Sequence, residues 1–132
     1  MRRNQNRIEG RYAIVSVMGG RDMARDVRLH HSETRALLEA GATIEQLKGR
    51  WNGQEELSIR IYGPNSATVA AEIALEYNQV AFIAVENGAA TLWGRVDGGI
   101  FESVDTYTSL IEDADATDNY SETMSGFRFR FV

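Results

Sequence analysis

The stretch Val80-Ala-Phe-Ile-Ala-Val-Glu-Asn-Gly88-Ala-Ala-Thr-Leu-Trp-Gly-Arg-Val96-Asp-Gly-Gly-Ile100-Phe-Glu-Ser-Val104 decides the fold. Residues 80–86 are a continuous apolar run, the pattern of a central strand. Asn87-Gly88 follows, and both residues of that pair tolerate the positive φ that a type I′ hairpin turn requires. Residues 89–96 then return antiparallel. Asp97-Gly98-Gly99 is a second hairpin signal, and residues 100–104 form a third strand. The three strands make a β-meander.

Upstream, Leu57-Ser-Ile-Arg-Ile-Tyr62 alternates. Leu57, Ile59 and Ile61 point one way, and Ser58, Arg60 and Tyr62 the other, as in a half-buried strand. Gly63-Pro64-Asn65 breaks it. Ser66 then caps a helix over residues 67–77, with Val69, Ile73 and Tyr77 on one face. Residues 12–18 read as a first strand, stopped by Gly19-Gly20. Residues 21–31 show no period and read as irregular. Ser32 caps a helix over 33–40, which Gly41 ends in a left-handed conformation. Thr43-Ile-Glu-Gln46 fits a capping box, so a second short helix runs to residue 50 and Asn52-Gly53 ends it.

Downstream, Asp105 caps a short helix over 106–111, and residues 112–119 form an acidic loop. Phe127-Arg-Phe-Arg-Phe-Val132 closes the chain as a strand with three phenylalanines on one face. Residues 1–10 read as a flexible N-terminal arm and 11–132 as a single α+β domain. The expected architecture is a mostly antiparallel sheet of about five to six strands, with two or three helices packed mainly on one face.

Composition removes several chemistries. The chain of 132 residues has no cysteine, which excludes disulfides, thiolate metal sites and thiol nucleophiles. No apolar run approaches the length needed to span a bilayer, and no signal-peptide pattern is present, so a cytoplasmic protein without a membrane partner is expected. The net charge is −5, unevenly spread: +3 over residues 1–60 and −8 over 61–132. That balance argues against wholesale nucleic-acid binding. No phosphate-binding glycine motif or nucleophile elbow occurs, and no cofactor is expected.

Three sets of residues are candidates for function. Glu112, Asp113, Asp115 and Asp118 make an acidic segment. It fails the EF-hand template, because Asp118 stands where the invariant glycine belongs and Met124 where a bidentate glutamate belongs. It reads as a solvated loop, with a surface for a basic partner or a weak Mg²⁺ site as the alternatives, and no metal is assigned to it. His30 and His31 are the only histidines. Neighbouring histidines point apart and do not share an ion readily, though one alone can act as a general base with carboxylates. Arg60, Arg128 and Arg130, edged by Tyr62, could line one sheet face and bind phosphate or single-stranded nucleic acid, against a bland reading as outward-facing charge. Trp51 and Trp93 read as packing residues, or as hot spots for a partner if exposed.

The stretch Ala70-Ala-Glu-Ile-Ala-Leu-Glu-Tyr-Asn-Gln-Val-Ala-Phe-Ile-Ala-Val-Glu-Asn-Gly88, followed by Ala90-Thr-Leu-Trp93, resembles small α+β accessory proteins encoded by phages and mobile elements. The resemblance implies a protein that binds a host protein, including defence nucleases of the kind anti-CRISPR proteins inhibit. It carries over no site residue. The expected function is therefore non-enzymatic inhibition by surface occlusion. The acidic segment would compete for a basic, nucleic-acid-binding surface on a host defence complex. A metal-dependent hydrolase or nuclease using His30 or His31, and a nucleic-acid or nucleotide binder using the three arginines, are the alternatives. A terminal strand could also pair between chains in a homodimer.

Overall fold

In the computed structural model, residues 3–95 and 97–132 are described, residues 3–7 by their backbone alone. The elements are β1 (Arg3–Arg7), β2 (Tyr12–Val15), α1 (Met23–Glu39), β3 (Ile44–Trp51), β4 (Gln54–Tyr62), α2 (Ser66–Glu76), β5 (Ala81–Glu86), β6 (Ala89–Arg95), β7 (Phe101–Tyr107), β8 (Ser109–Asp113), β9 (Tyr120–Thr123) and β10 (Arg128–Phe131). The strands form one sheet in the order β1-β8-β10-β9-β3-β4-β2-β5-β6-β7. Every pairing is antiparallel.

That order forces the sheet to curl into a half-barrel. Thr108 alone separates β7, the last strand of the sheet, from β8, the second. Seven strand spacings lie between β10 and β7, roughly 34 Å if the sheet were flat. Yet the ring centroids of Tyr107 and Phe131 are 6.4 Å apart. A register shift between Leu92 and Trp93, where β6 meets β7, supplies local twist toward this closure.

Strand alternation then builds two cores. On the convex face, Ala13, Val15, Val17, Ile59, Ile61, Phe82 and Ala84 pack under the helices with Ala70, Ile73 and Ala74 of α2. On the concave face, Tyr12, Ile14, Leu47, Ile83, Val85, Ala90 and Phe129 meet Ile8 across the hollow. The small alanines of α2 let that helix sit close on β2 and β5. Gly49 is required by close approach: a Cβ there would overlap the Tyr120 carbonyl oxygen.

The α+β class, the meander β5-β6-β7, the helix α2 and the phenylalanine face of β10 match expectation. The strand number does not: among the described residues the sheet holds ten strands. Residues 44–51 are strand β3, not a helix, because Asn52-Gly53 turns the chain back on itself. Asn52 has φ 50° and Gly53 φ 79°, both in the left-handed region that a type I′ turn needs. Residues 106–111 are the junction of β7 and β8, and residues 120–123 add the short strand β9. Residues 3–7 of the expected arm pair with β8. Val96 and the first two residues lie outside the described residues.

Helix α1 is 17 residues long and starts well before Ser32. Its cap is Asp22, whose carboxylate accepts the Arg25 backbone N–H at 3.1 Å. Asp26 is buried and accepts the backbone N–H groups of Gly19 (3.1 Å) and Gly20 (2.8 Å). These bonds tie the end of the first strand segment to the first turn of the helix. Ser66 is likewise not a cap; Asn65 precedes α2, and no side chain closes that end.

Candidate functional site

The hollow of the half-barrel opens as a cavity of about 470 Å³. Ile14, Ile83, Leu92 and Phe131 supply much of its apolar lining, with Phe82 at its margin. Trp51, Asn52 and Asn119 belong to its rim. The rim is latched: Asn119 Oδ1 accepts the Asn52 N–H at 3.2 Å, and Asp118 Oδ1 accepts the Gly53 N–H at 3.1 Å. The β3–β4 turn is thereby fastened to the loop before β9.

Much of the polar lining is already bonded. Ser16 Oγ donates to the Leu57 carbonyl at 2.9 Å and accepts from the Met18 N–H at 3.0 Å. Gln79 Nε2 donates to the Met18 carbonyl at 3.0 Å. Arg130 is drawn to Asp113, with Nε 3.3 Å from Oδ2. Glu56 differs. It lines the cavity and also a neighbouring cleft of about 430 Å³, yet its carboxylate has no hydrogen-bond or ion-pair partner among the described residues. Burial pushes its carboxyl up to about 7. In the neighbouring cleft the two cations are already held: Glu122 takes Lys48 at 3.3 Å and Arg128 at 3.0 Å. Burial would raise Glu122, but the bonds from Arg128 and Lys48 hold it below the usual carboxylate range.

A second polar group sits on the concave face. Arg60 bonds Glu45 through Nε at 3.1 Å and through Nη2. Tyr62 donates to the same oxygen at 3.1 Å. The Arg60 guanidinium lies 5.1 Å from the Tyr12 ring centroid, 5.6 Å from Tyr62 and 5.3 Å from Phe129. A cation paired with carboxylate and boxed by three rings is a structural plug, stabilised by cation–π attraction.

The expected basic sheet face is therefore not assembled. Arg60 lies on the phenylalanine side, over Phe129. Arg128 stacks 4.0 Å from the Tyr120 ring and pairs with Glu122. Arg130 pairs with Asp113. Strand parity separates Arg60 from the other two, and carboxylates neutralise all three.

Nor do the acidic residues form one free surface. Asp113 is 2% exposed and bound to Arg130, and Asp118 is engaged as the rim latch. Glu112 and Asp113 close β8, while Asp115 lies in the loop beyond.

His30 is fully buried in α1, its Nε2 3.0 Å from Gln46 Oε1 of β3. It does not reach either cavity lining, and His31 beside it is exposed. Among the described residues no group of three or more His, Asp and Glu could hold a metal ion. Burial lowers the His30 pKa, outweighing the Gln46 bond, which raises it. The unfolded chain then binds a proton that the folded one resists, so this residue's contribution to stability declines as pH falls below the ordinary histidine value. In chemical denaturation across that window, His30→Gln is expected to lack this acid-side decline. An unchanged slope would show that His30 is free to charge.

Local pattern did not single out Glu56, although its signal was present. The alternation of Ser58, Arg60 and Tyr62, extended two residues back, places Glu56 on the same face. That extension follows only once Asn52-Gly53 is a hairpin turn and β4 begins at Gln54.

Among the described residues no helix is long and apolar enough to cross a membrane. No protein-family model matches the chain, and no curated protein matches it.

Proposed function

We propose that this protein is a non-catalytic binder that takes a small, largely apolar molecule into the cup of its curled sheet. One observation carries the reading: the half-barrel leaves a hollow of about 470 Å³ where a closed barrel of side chains would fill itself. That volume falls within the range of small-molecule sites, and an apolar wall of Ile14, Ile83, Leu92 and Phe131 stands among polar groups most of which can fix a ligand's orientation. Binding would follow from apolar burial, with the latched rim restricting escape. The test is a titration with N-phenyl-1-naphthylamine, a neutral fluorophore that brightens in apolar surroundings. Saturable enhancement is expected, and Leu92→Trp, which fills the cup, should abolish it while circular dichroism stays unchanged. Absence of saturable binding to the folded protein would overturn the reading.

A second reading, inhibition of a host defence complex by surface occlusion, is favoured by a different surface from the acidic segment. Among the described residues β7 pairs with β6 alone, and Ile100 (80% exposed) and Val104 (60% exposed) stand on or beside it. An edge strand with exposed apolar side chains can accept a strand from a partner protein. Val104→Asp would then weaken capture of a defined host partner, whereas charge reversal at Asp115 would not. The opposite pattern would return the interface to the acidic segment.

A further inference from the structure

We propose that the ligand of the cup is an amine, an ammonium group on an apolar body, seated with its nitrogen against Glu56. The inference deepens the binding reading above and rests on it. Among the charged groups of the described residues that line the cup, Arg130 is matched by Asp113, so these residues present one uncompensated group, and it is an acid. The charged groups facing Glu56 from the other side are Lys48 of β3, Glu55 of β4, Glu122 of β9 and Arg128 of β10. Both cations among them bind Glu122, and Glu55 is exposed. The remaining polar lining is neutral: Ser16, Ser58, Gln79, Asn52, Asn119 and the Tyr107 hydroxyl. A half-buried carboxylate without a side-chain partner attracts a donor cation, because both charges are incompletely solvated at such a site. An anionic ligand would meet repulsion at the same place.

The pH dependence follows in sign. In the empty cup Glu56 keeps its proton up to about 7. Above that value the ionised carboxylate pairs with the ammonium. Below it the acid is neutral and the preference for a cation is lost.

The experiment displaces the neutral fluorophore with three probes of matched chain length: octylamine, 1-octanol and octanoate. At about pH 8, octylamine is expected to displace it at about tenfold lower concentration than octanol, with octanoate weakest. At about pH 5 the amine and the alcohol should act alike. Glu56→Gln should lose the amine preference at both pH values, read as the ratio of the octanol to the octylamine concentration needed to displace the fluorophore from that same variant. If the fluorophore binds but octylamine and octanol are equivalent at high pH, or octanoate displaces best, the amine assignment is wrong and the cup reading survives. Retention of the amine preference in Glu56→Gln would overturn the assignment in the same way. If the fluorophore does not bind at all, both fall together.

Discussion

Replacing Phe129 by alanine will remove about 3–5 kcal/mol of unfolding free energy, measured by urea denaturation against the parent chain. Phe129 is 1% exposed and is among the largest fully buried side chains. It stands on β10, which joins β8 to β9 and so carries the curl round toward β7. Its ring packs 5.8 Å from Phe127 and 5.9 Å from Phe131, and it covers the Arg60 guanidinium. Alanine would leave a void that the rigid strands on either side cannot close. It would also strip one wall from a buried cation, which adds to the loss. A domain of this size has a total stability of about 5–15 kcal/mol, so much of the margin would go. Should the variant fail to fold, Phe129→Leu supplies the measurement, with a smaller loss in the same direction. Phe127→Ala is the control: that ring is 37% exposed and its truncation should matter far less. Equal effects at 127 and 129 would mean that the phenylalanine face is not the inner wall of a curl.

How far this architecture could be read from sequence turns on a few residues. The dipeptide Asn-Gly occurs at 52–53 and at 87–88, and in both places it adopts the same left-handed pair of φ values. At 87–88 it follows an apolar run and reads as a hairpin. At 52–53 it follows Thr43-Ile-Glu-Gln46, whose spacing imitates a helix cap, and the local signal is outvoted. One misread turn removed β3, displaced the start of β4 and hid Glu56. Helix α1 was obscured for another reason. Its buried face is Asp26, His30 and Thr34, at helical spacing but polar, so hydrophobic periodicity could not reveal it. The curl itself is non-local. It depends on Thr108 joining strands far apart in the sheet order, and that order is set by pairings such as β1 with β8 and β3 with β9, which no short window of sequence contains. What local pattern does carry well is inside-outside alternation. The faces assigned to Ile59 and Ile61 and to Phe127, Phe129 and Phe131 are the faces they occupy.

Glu56→Gln is expected to stabilise the folded protein at about pH 8 by roughly 2–3 kcal/mol, and to leave its stability nearly unchanged at about pH 4. The direction follows from proton counting. Glu56 begins to lose its proton near 4.5 in the unfolded chain but near 7 in the folded one. Between those values the folded state binds more protons, so rising pH favours unfolding. Above them the folded chain carries a partly desolvated charge with no side-chain partner, which glutamine lacks. At low pH both variants are neutral and the difference closes. His30 contributes a slope of opposite sign in an overlapping window, so the parent profile is a sum, and only the difference between variant and parent isolates Glu56. Parallel denaturation curves at the two pH values are the measurement, and an equal stability difference at both would show that Glu56 has a partner or is solvated. The effect bears on function because a side chain that weakens the empty protein is explained by what it does when the cup is full. An ammonium ligand would neutralise the charge, recover the lost stability and make the midpoint of unfolding rise with ligand at high pH, an increment that Glu56→Gln should largely forgo.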